Sequence, residues 1–134
     1  MGVITAHRPQ ATPWTVGLRI AIVVLTLVTA RIHLLLGGTL FTLNAIGYAA
    51  LAAAMVLPGL FGKLRWLTRY ALVGFTATTI VGWLAFGARF ELAYIDKAIE
   101  VALIGLVLVE SWVADGSPIE VARRAGRTVG QLLG

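Results

Sequence analysis

Asp96, Lys97 and Glu100 stand together in "YIDKAIE" (94–100), at the head of a stretch that runs almost without polar relief to Glu110. Residues four apart share one face of a helix, so the two carboxylates point the same way. Lys97, one position from Asp96 and three from Glu100, can flank them. Such a group can exchange a proton, hold a charged or hydrogen-bonding ligand, or pin helices together. The nearest candidates to join it are Arg31 and Asn44, with His33 close by in sequence.

The surroundings of these residues decide what they can do. Of 134 residues 59% are hydrophobic and 13% are charged, and the mean hydropathy is +0.91, against about 25% charged residues in an ordinary soluble domain. Too few polar residues remain to cover a soluble surface, so the chain reads as an integral membrane protein. With no cysteine, disulfides and thiolate metal sites are excluded. The net charge of +5 is not paired with stacking aromatics, which argues against nucleic acid. It fits orientation in a bilayer and attraction to anionic headgroups.

A helix needs about 20 apolar residues to cross the hydrocarbon core. Four stretches qualify: 14–36, closed by Gly37-Gly38; 39–57, stopped by Pro58-Gly59; 68–88; and 92–114. The first is too long for the apolar part of a signal peptide and lacks a cleavage pattern. Short connections force neighbouring spans to run antiparallel, which predicts an all-α, up-down-up-down four-helix membrane bundle over 14–114. It is flanked by an N-terminal tail (1–13) and a basic C-terminal tail (115–134).

In that topology Arg8, Arg19, Lys63, Arg65, Arg69, Arg123, Arg124 and Arg127 lie on one side, and Arg31, Arg89 and Lys97 on the other. The bias predicts a multi-pass protein of the cell (inner) membrane with both termini cytoplasmic. Trp14, Trp66 and Trp112 then mark the inner interface, and Phe41, Trp83, Phe90 and Tyr94 the outer one.

In the tail, Ser117, Pro118 and Glu120 form a capping-box signature ahead of alternating apolar residues and Arg123, Arg124 and Arg127. A short amphipathic helix binding anionic lipid is expected; a frayed tail or a docking helix are the alternatives. Gly74, Thr78 and Gly82, like Ala98, Ala102 and Gly105, have the small-residue spacing that lets membrane helices approach closely. They are expected to close the bundle on itself, or else to meet another membrane subunit.

At 1.5 Å per residue, Arg31 and Asn44 lie roughly 7 Å inside their spans, Asp96 about 6 Å and Glu100 about 12 Å. One polar layer results. An unpaired charge in hydrocarbon costs about 2.5–3.5 kcal/mol on insertion scales, so Arg31 is expected to pair with Glu100 or Asp96, with Asn44 as a further hydrogen-bond partner. His33, about 200° around the helix from Arg31, is then expected to face lipid, the interface or another subunit, where it could ligate a partner's haem or chlorophyll. His7 lies across the membrane, so no two-histidine haem site and no compact metal site is expected, and no cofactor is implied. Glu110 is expected to anchor its helix at the inner interface.

The segments "RIHLLLGGTLFTLNAIGYAAL" (31–51) and "YIDKAIEVALIGLVLVE" (94–110) resemble a group of small, functionally uncharacterised four-span membrane proteins of bacteria and archaea. In that group a His-Leu helix end precedes a Leu-Phe-x-Leu-Asn-Ala segment. The resemblance implies fold and membrane location, and it treats His33, Asn44, Asp96 and Glu100 as a set without assigning an activity. No phosphate loop, HExxH or nucleophile-base pattern occurs, so an enzyme is not expected. Two functions follow. One is an accessory or scaffold subunit of a larger membrane complex. The other is a protein that handles a small molecule, a quinone-like headgroup, protons or ions through Arg31, Asn44, Asp96 and Glu100.

Overall fold

The computed structural model describes residues 12–134; His7, Arg8 and nearly all of the expected N-terminal tail lie outside the described residues. Within them the chain forms six helices and no strand: α1 (Pro13–Leu36), α2 (Thr39–Val56), α3 (Leu60–Lys63), α4 (Arg65–Phe86), α5 (Glu91–Asp115) and α6 (Pro118–Leu133).

Local chemistry sets the boundaries. α1 starts with Thr12, whose side chain accepts from the Thr15 N–H, and with Pro13 in the first turn, where a missing N–H costs nothing. It stops at Gly37 and Gly38, with φ of 72° and 88°, a backbone region that L side chains seldom adopt. The 59–69 connection is not a plain loop. Gly59, also at positive φ, opens the single turn of α3, and Arg65 donates to the Leu57 carbonyl at 3.1 Å, strapping the turn. α4 therefore begins three residues before the hydropathy pattern does.

The four long helices enclose one core. α1 packs on α2 and α5, and α4 packs on α5 and α2. Ile22, Met55, Leu72, Leu103 and Val107 are fully buried between them. The buried residues of α1 include Leu18, Ile22, Thr26, Thr29 and His33, and those of α5 include Asp96, Glu100, Leu103, Val107 and Glu110. Both series step by three or four, the spacing of a single helix face.

α1, α2 and α4 are long and apolar enough to cross a membrane. α5 has the length, but it carries Asp96, Lys97, Glu100 and Glu110, and its carboxylates turn inward. The charges that lower its hydropathy are those that face the other helices.

The small-residue faces do not close the bundle. Thr78, Ala98 and Ala102 are exposed, and a Cβ added at Gly74, Gly82 or Gly105 would meet nothing within 4 Å. The glycine that does permit close approach is Gly47, where a Cβ would stand 2.5 Å from the tip of the Phe75 ring.

α6 has the full capping box: Ser117 accepts from the Glu120 N–H, and the Glu120 carboxylate accepts from the Ser117 N–H at 3.0 Å. Val121 is buried against the bundle, while Arg123, Arg124 and Arg127 are exposed. So are Ile119, Val129, Leu132 and Leu133, which leaves the helix with an uncovered apolar side.

Candidate functional site

α1 brings Thr29 and His33 to the interior, one turn apart. α2 brings Tyr48, α4 brings Thr79, and α5 brings Asp96, Lys97 and Glu100. His33, Asp96 and Glu100 are 2%, 1% and 0% exposed, so every polar atom must find its partner inside the protein.

Glu100 sits at the centre. Its Oε1 accepts from the Tyr48 hydroxyl at 2.8 Å and lies 2.9 Å from the Thr79 hydroxyl. Its Oε2 accepts from Lys97 Nζ at 2.6 Å. Asp96 Oδ1 accepts from the Thr29 hydroxyl at 2.6 Å, and its Oδ2 faces Lys97 Nζ at 3.4 Å. His33 joins both carboxylates, with Nδ1 3.8 Å from Asp96 Oδ2 and Nε2 3.9 Å from Glu100 Oε1. Its ring also lies against Tyr48 and Phe41, at centroid distances of 5.5 and 5.9 Å.

Above this cluster opens a cavity of about 640 Å³, at the end of the molecule where α1 turns into α2 and α4 into α5. His33, Asn44, Asp96 and Lys97 give it a polar floor. Phe41, Phe75, Trp83 and Phe90 supply aromatic walls. Gly47 sets one wall indirectly: without a side chain there, Phe75 lies against α2 and meets the Tyr48 ring edge-on at 4.8 Å. Trp83 is held by its N–H bond to the Ala88 carbonyl, 3.0 Å, and by Arg89 over its face at 4.0 Å. Apolar walls over a few converging polar groups are the usual make-up of a small-molecule site.

The expected layer is thus present with two members exchanged. Asp96, Lys97 and Glu100 are together, and Asn44 is half-buried on the cavity floor, without a hydrogen bond to the described residues. Arg31 is exposed and has neither a hydrogen bond nor an ion pair with the described residues, whereas His33 is buried. The physical reason is local. Lys97, on α5 itself, already pairs with both carboxylates, and a long guanidinium near a helix end can run outward to water. His33 is also not set apart from the acids: with Asp96 and Glu100 it can offer ligand atoms within 4.8 Å of one another, the compact His/carboxylate group that was not expected. Thr29, Tyr48 and Thr79 were missed. The threonines of α1 at 26 and 29, in step with His33, are the signal that could have found that face.

A second buried polar layer lies at the opposite end. Glu110 Oε1 accepts from Arg19 Nε at 2.9 Å and faces Arg69 at 3.3 Å, while Arg69 also bonds Asp115 at 2.8 Å. Glu110 is therefore not an interfacial anchor, for it is 1% exposed. Ten residues separate Glu100 from Glu110, about 15 Å of helix, and Ile22, Leu72, Leu103 and Val107 occupy that interval together with the buried hydroxyls of Thr26 and Thr76.

No protein-family model, curated protein or solved structure matches the chain.

Proposed function

We propose that the chain is a multi-pass membrane protein that binds a small amphiphile with a flat, hydrogen-bonding, quinone-like headgroup in the cavity over His33, Asn44, Asp96 and Lys97. The observation that carries this reading is the junction of an aromatic-walled cavity with a buried, charged floor. Lys97 bonds Glu100 and faces Asp96, which leaves a third N–H for a ligand carbonyl. Beneath the floor the buried polar groups thin out to the Thr26 and Thr76 hydroxyls among Ile22, Leu72, Leu103 and Val107, which favours binding over conduction of protons through the bundle.

In this reading α1, α2, α4 and α5 form the up-down-up-down membrane bundle, with both termini cytoplasmic. Two features support it: the short turns, and the meeting of the starts of α1 and α4 with the end of α5 through Arg19, Arg69 and Asp115. α6 then lies on the inner surface, with Arg123, Arg124 and Arg127 toward anionic headgroups.

A short-chain quinone titrated into the detergent-solubilised protein is expected to quench tryptophan fluorescence saturably, and Trp83→Phe should remove most of that signal. Lys97→Met should weaken binding about tenfold or more, as loss of a charged hydrogen bond does. Quenching that is linear, or equal in Trp83→Phe, would refute the cavity as the site.

The outward small residues of α4 and α5 favour a second role, as an accessory subunit packed against another membrane protein. Extraction in mild detergent should then recover a stoichiometric membrane partner, lost when Gly74 and Gly105 are both replaced by Leu. A protein that elutes alone counts against it.

A further inference from the structure

The two ring nitrogens of His33 are not equivalent. Nδ1 lies 2.8 Å from the Thr29 carbonyl oxygen, which can only accept, so Nδ1 carries the proton. The lone pair of the neutral ring is then on Nε2, which has no hydrogen bond among the described residues and stands 3.9 Å from Glu100 Oε1.

We propose that His33 Nε2, Asp96 and Glu100 bind a divalent transition-metal ion at the floor of the cavity, with zinc the ion that suits the donors. One ligand atom from each of the three residues lies within 4.8 Å of the others: Nε2 is 3.9 Å from Glu100 Oε1, and Asp96 Oδ2 stands 3.8 Å from the Nδ1 edge of the same ring. A tetrahedral site with bonds of about 2.0–2.1 Å needs donors roughly 3.3 Å apart, so Nε2 and Glu100 Oε1, at 3.9 Å, need only a small approach, while the Asp96 carboxylate must swing from the Nδ1 edge of the ring toward Nε2. His33 and Asp96 line the cavity, which gives a fourth ligand its approach, as in zinc sites that keep a place for a water or ligand.

The groups behind these three residues match what metal sites need. A ligating histidine commonly donates its other N–H to a carbonyl, and ligating carboxylates are themselves hydrogen-bonded. Here Thr29 O takes Nδ1–H, the Thr29 hydroxyl holds Asp96, and the Tyr48 hydroxyl holds Glu100. Two carboxylates neutralise a dication. Lys97 occupies Glu100 Oε2, and the incoming ion displaces its ammonium, which is on a flexible stem and 12% exposed at the cavity wall. The inference deepens the ligand-binding reading, on which it rests only for the fourth ligand.

Zinc and cobalt binding to the chelator-treated full chain in detergent provide the test. One zinc per chain is expected, with affinity reduced at least a hundredfold in His33→Gln and in Asp96→Asn, and unchanged in His7→Gln. Tyr48→Phe should weaken it about tenfold. Lys97→Met, which removes the competing cation, should tighten zinc about tenfold while weakening quinone, a pair of opposite effects that a structural role for Lys97 would not produce. Zinc absent from the unmutated protein, zinc retained in His33→Gln, or an affinity in Lys97→Met that is unchanged or lower overturns the proposal. If variants fail to fold, the cobalt spectrum of the unmutated protein still decides: intense four-coordinate bands support it, and weak six-coordinate bands do not. Quinone quenching by a chain that takes up no zinc overturns the metal alone, and zinc binding without quenching overturns the quinone reading alone.

Discussion

Arg69→Met is expected to lower the unfolding free energy by about 3–5 kcal/mol, the cost of leaving a buried carboxylate without its partner. Arg69 is 4% exposed and holds Asp115 by two contacts of 2.8 Å while facing Glu110 at 3.3 Å. Met keeps much of the side-chain volume, so the loss reports charge rather than a void. The triple change Arg69→Met, Glu110→Met, Asp115→Leu should recover most of the stability, because a buried ion network replaced as a whole by apolar residues of similar volume is often neutral or better. Arg19, a third exposed, can then run outward to water. Reversible unfolding in mixed micelles, followed by helical circular dichroism, is the measurement. A loss below about 1 kcal/mol, the range of water-screened surface pairs, would mean that this layer is wet.

Glu100→Ala should be of similar size, about 3–5 kcal/mol, for a different reason. The carboxylate is the common acceptor of Tyr48, Thr79 and Lys97. Its removal takes the acceptor from the Tyr48 hydroxyl and the nearer of two carboxylates from Lys97, while the Thr79 hydroxyl keeps the Thr76 carbonyl at 2.8 Å. Glu100→Gln keeps the shape and one acceptor, and should cost less than half as much. The same micelle unfolding measurement compares the two, and equal losses would show that packing rather than charge holds this layer. Both variants should also lose zinc, which separates the ligand role from stability: Gln would remain folded yet fail to bind.

Hydropathy and breakers made the long helices legible almost to the residue. The expected 14–36, 39–57, 68–88 and 92–114 became Pro13–Leu36, Thr39–Val56, Arg65–Phe86 and Glu91–Asp115, closest where a glycine at positive φ or Pro58-Gly59 stops the helix. α3 was not legible, since a single turn has no periodicity to read. Rotation about the axis was legible only where polarity varied. Along α5, carboxylates at 96, 100 and 110 among aliphatic residues mark the inward face. α1 is apolar on nearly every side, so the choice between Arg31 and His33 turned on charge alone, and charge pointed to the wrong one. Hydroxyl partners such as Tyr48 and Thr79 have too little polarity to stand out, although together they satisfy Glu100. Glu110 was read as an anchor because its nearness to the helix end outweighed its place on the Glu100 face.

The inward carboxylates of α5 also bear on how the protein is made. α1, α2 and α4 can each enter a bilayer on their own hydropathy, and they emerge from the ribosome before α5. They carry what α5 requires: Arg19, Thr29 and His33 on α1, Tyr48 on α2, Arg69 and Thr79 on α4. The last long helix is thus a poor lodger in lipid but a good one among its predecessors. In the membrane bundle proposed above, its insertion is a folding step rather than a partitioning step, and a chain truncated before Glu91 would leave three apolar helices gathered around an unfilled seat.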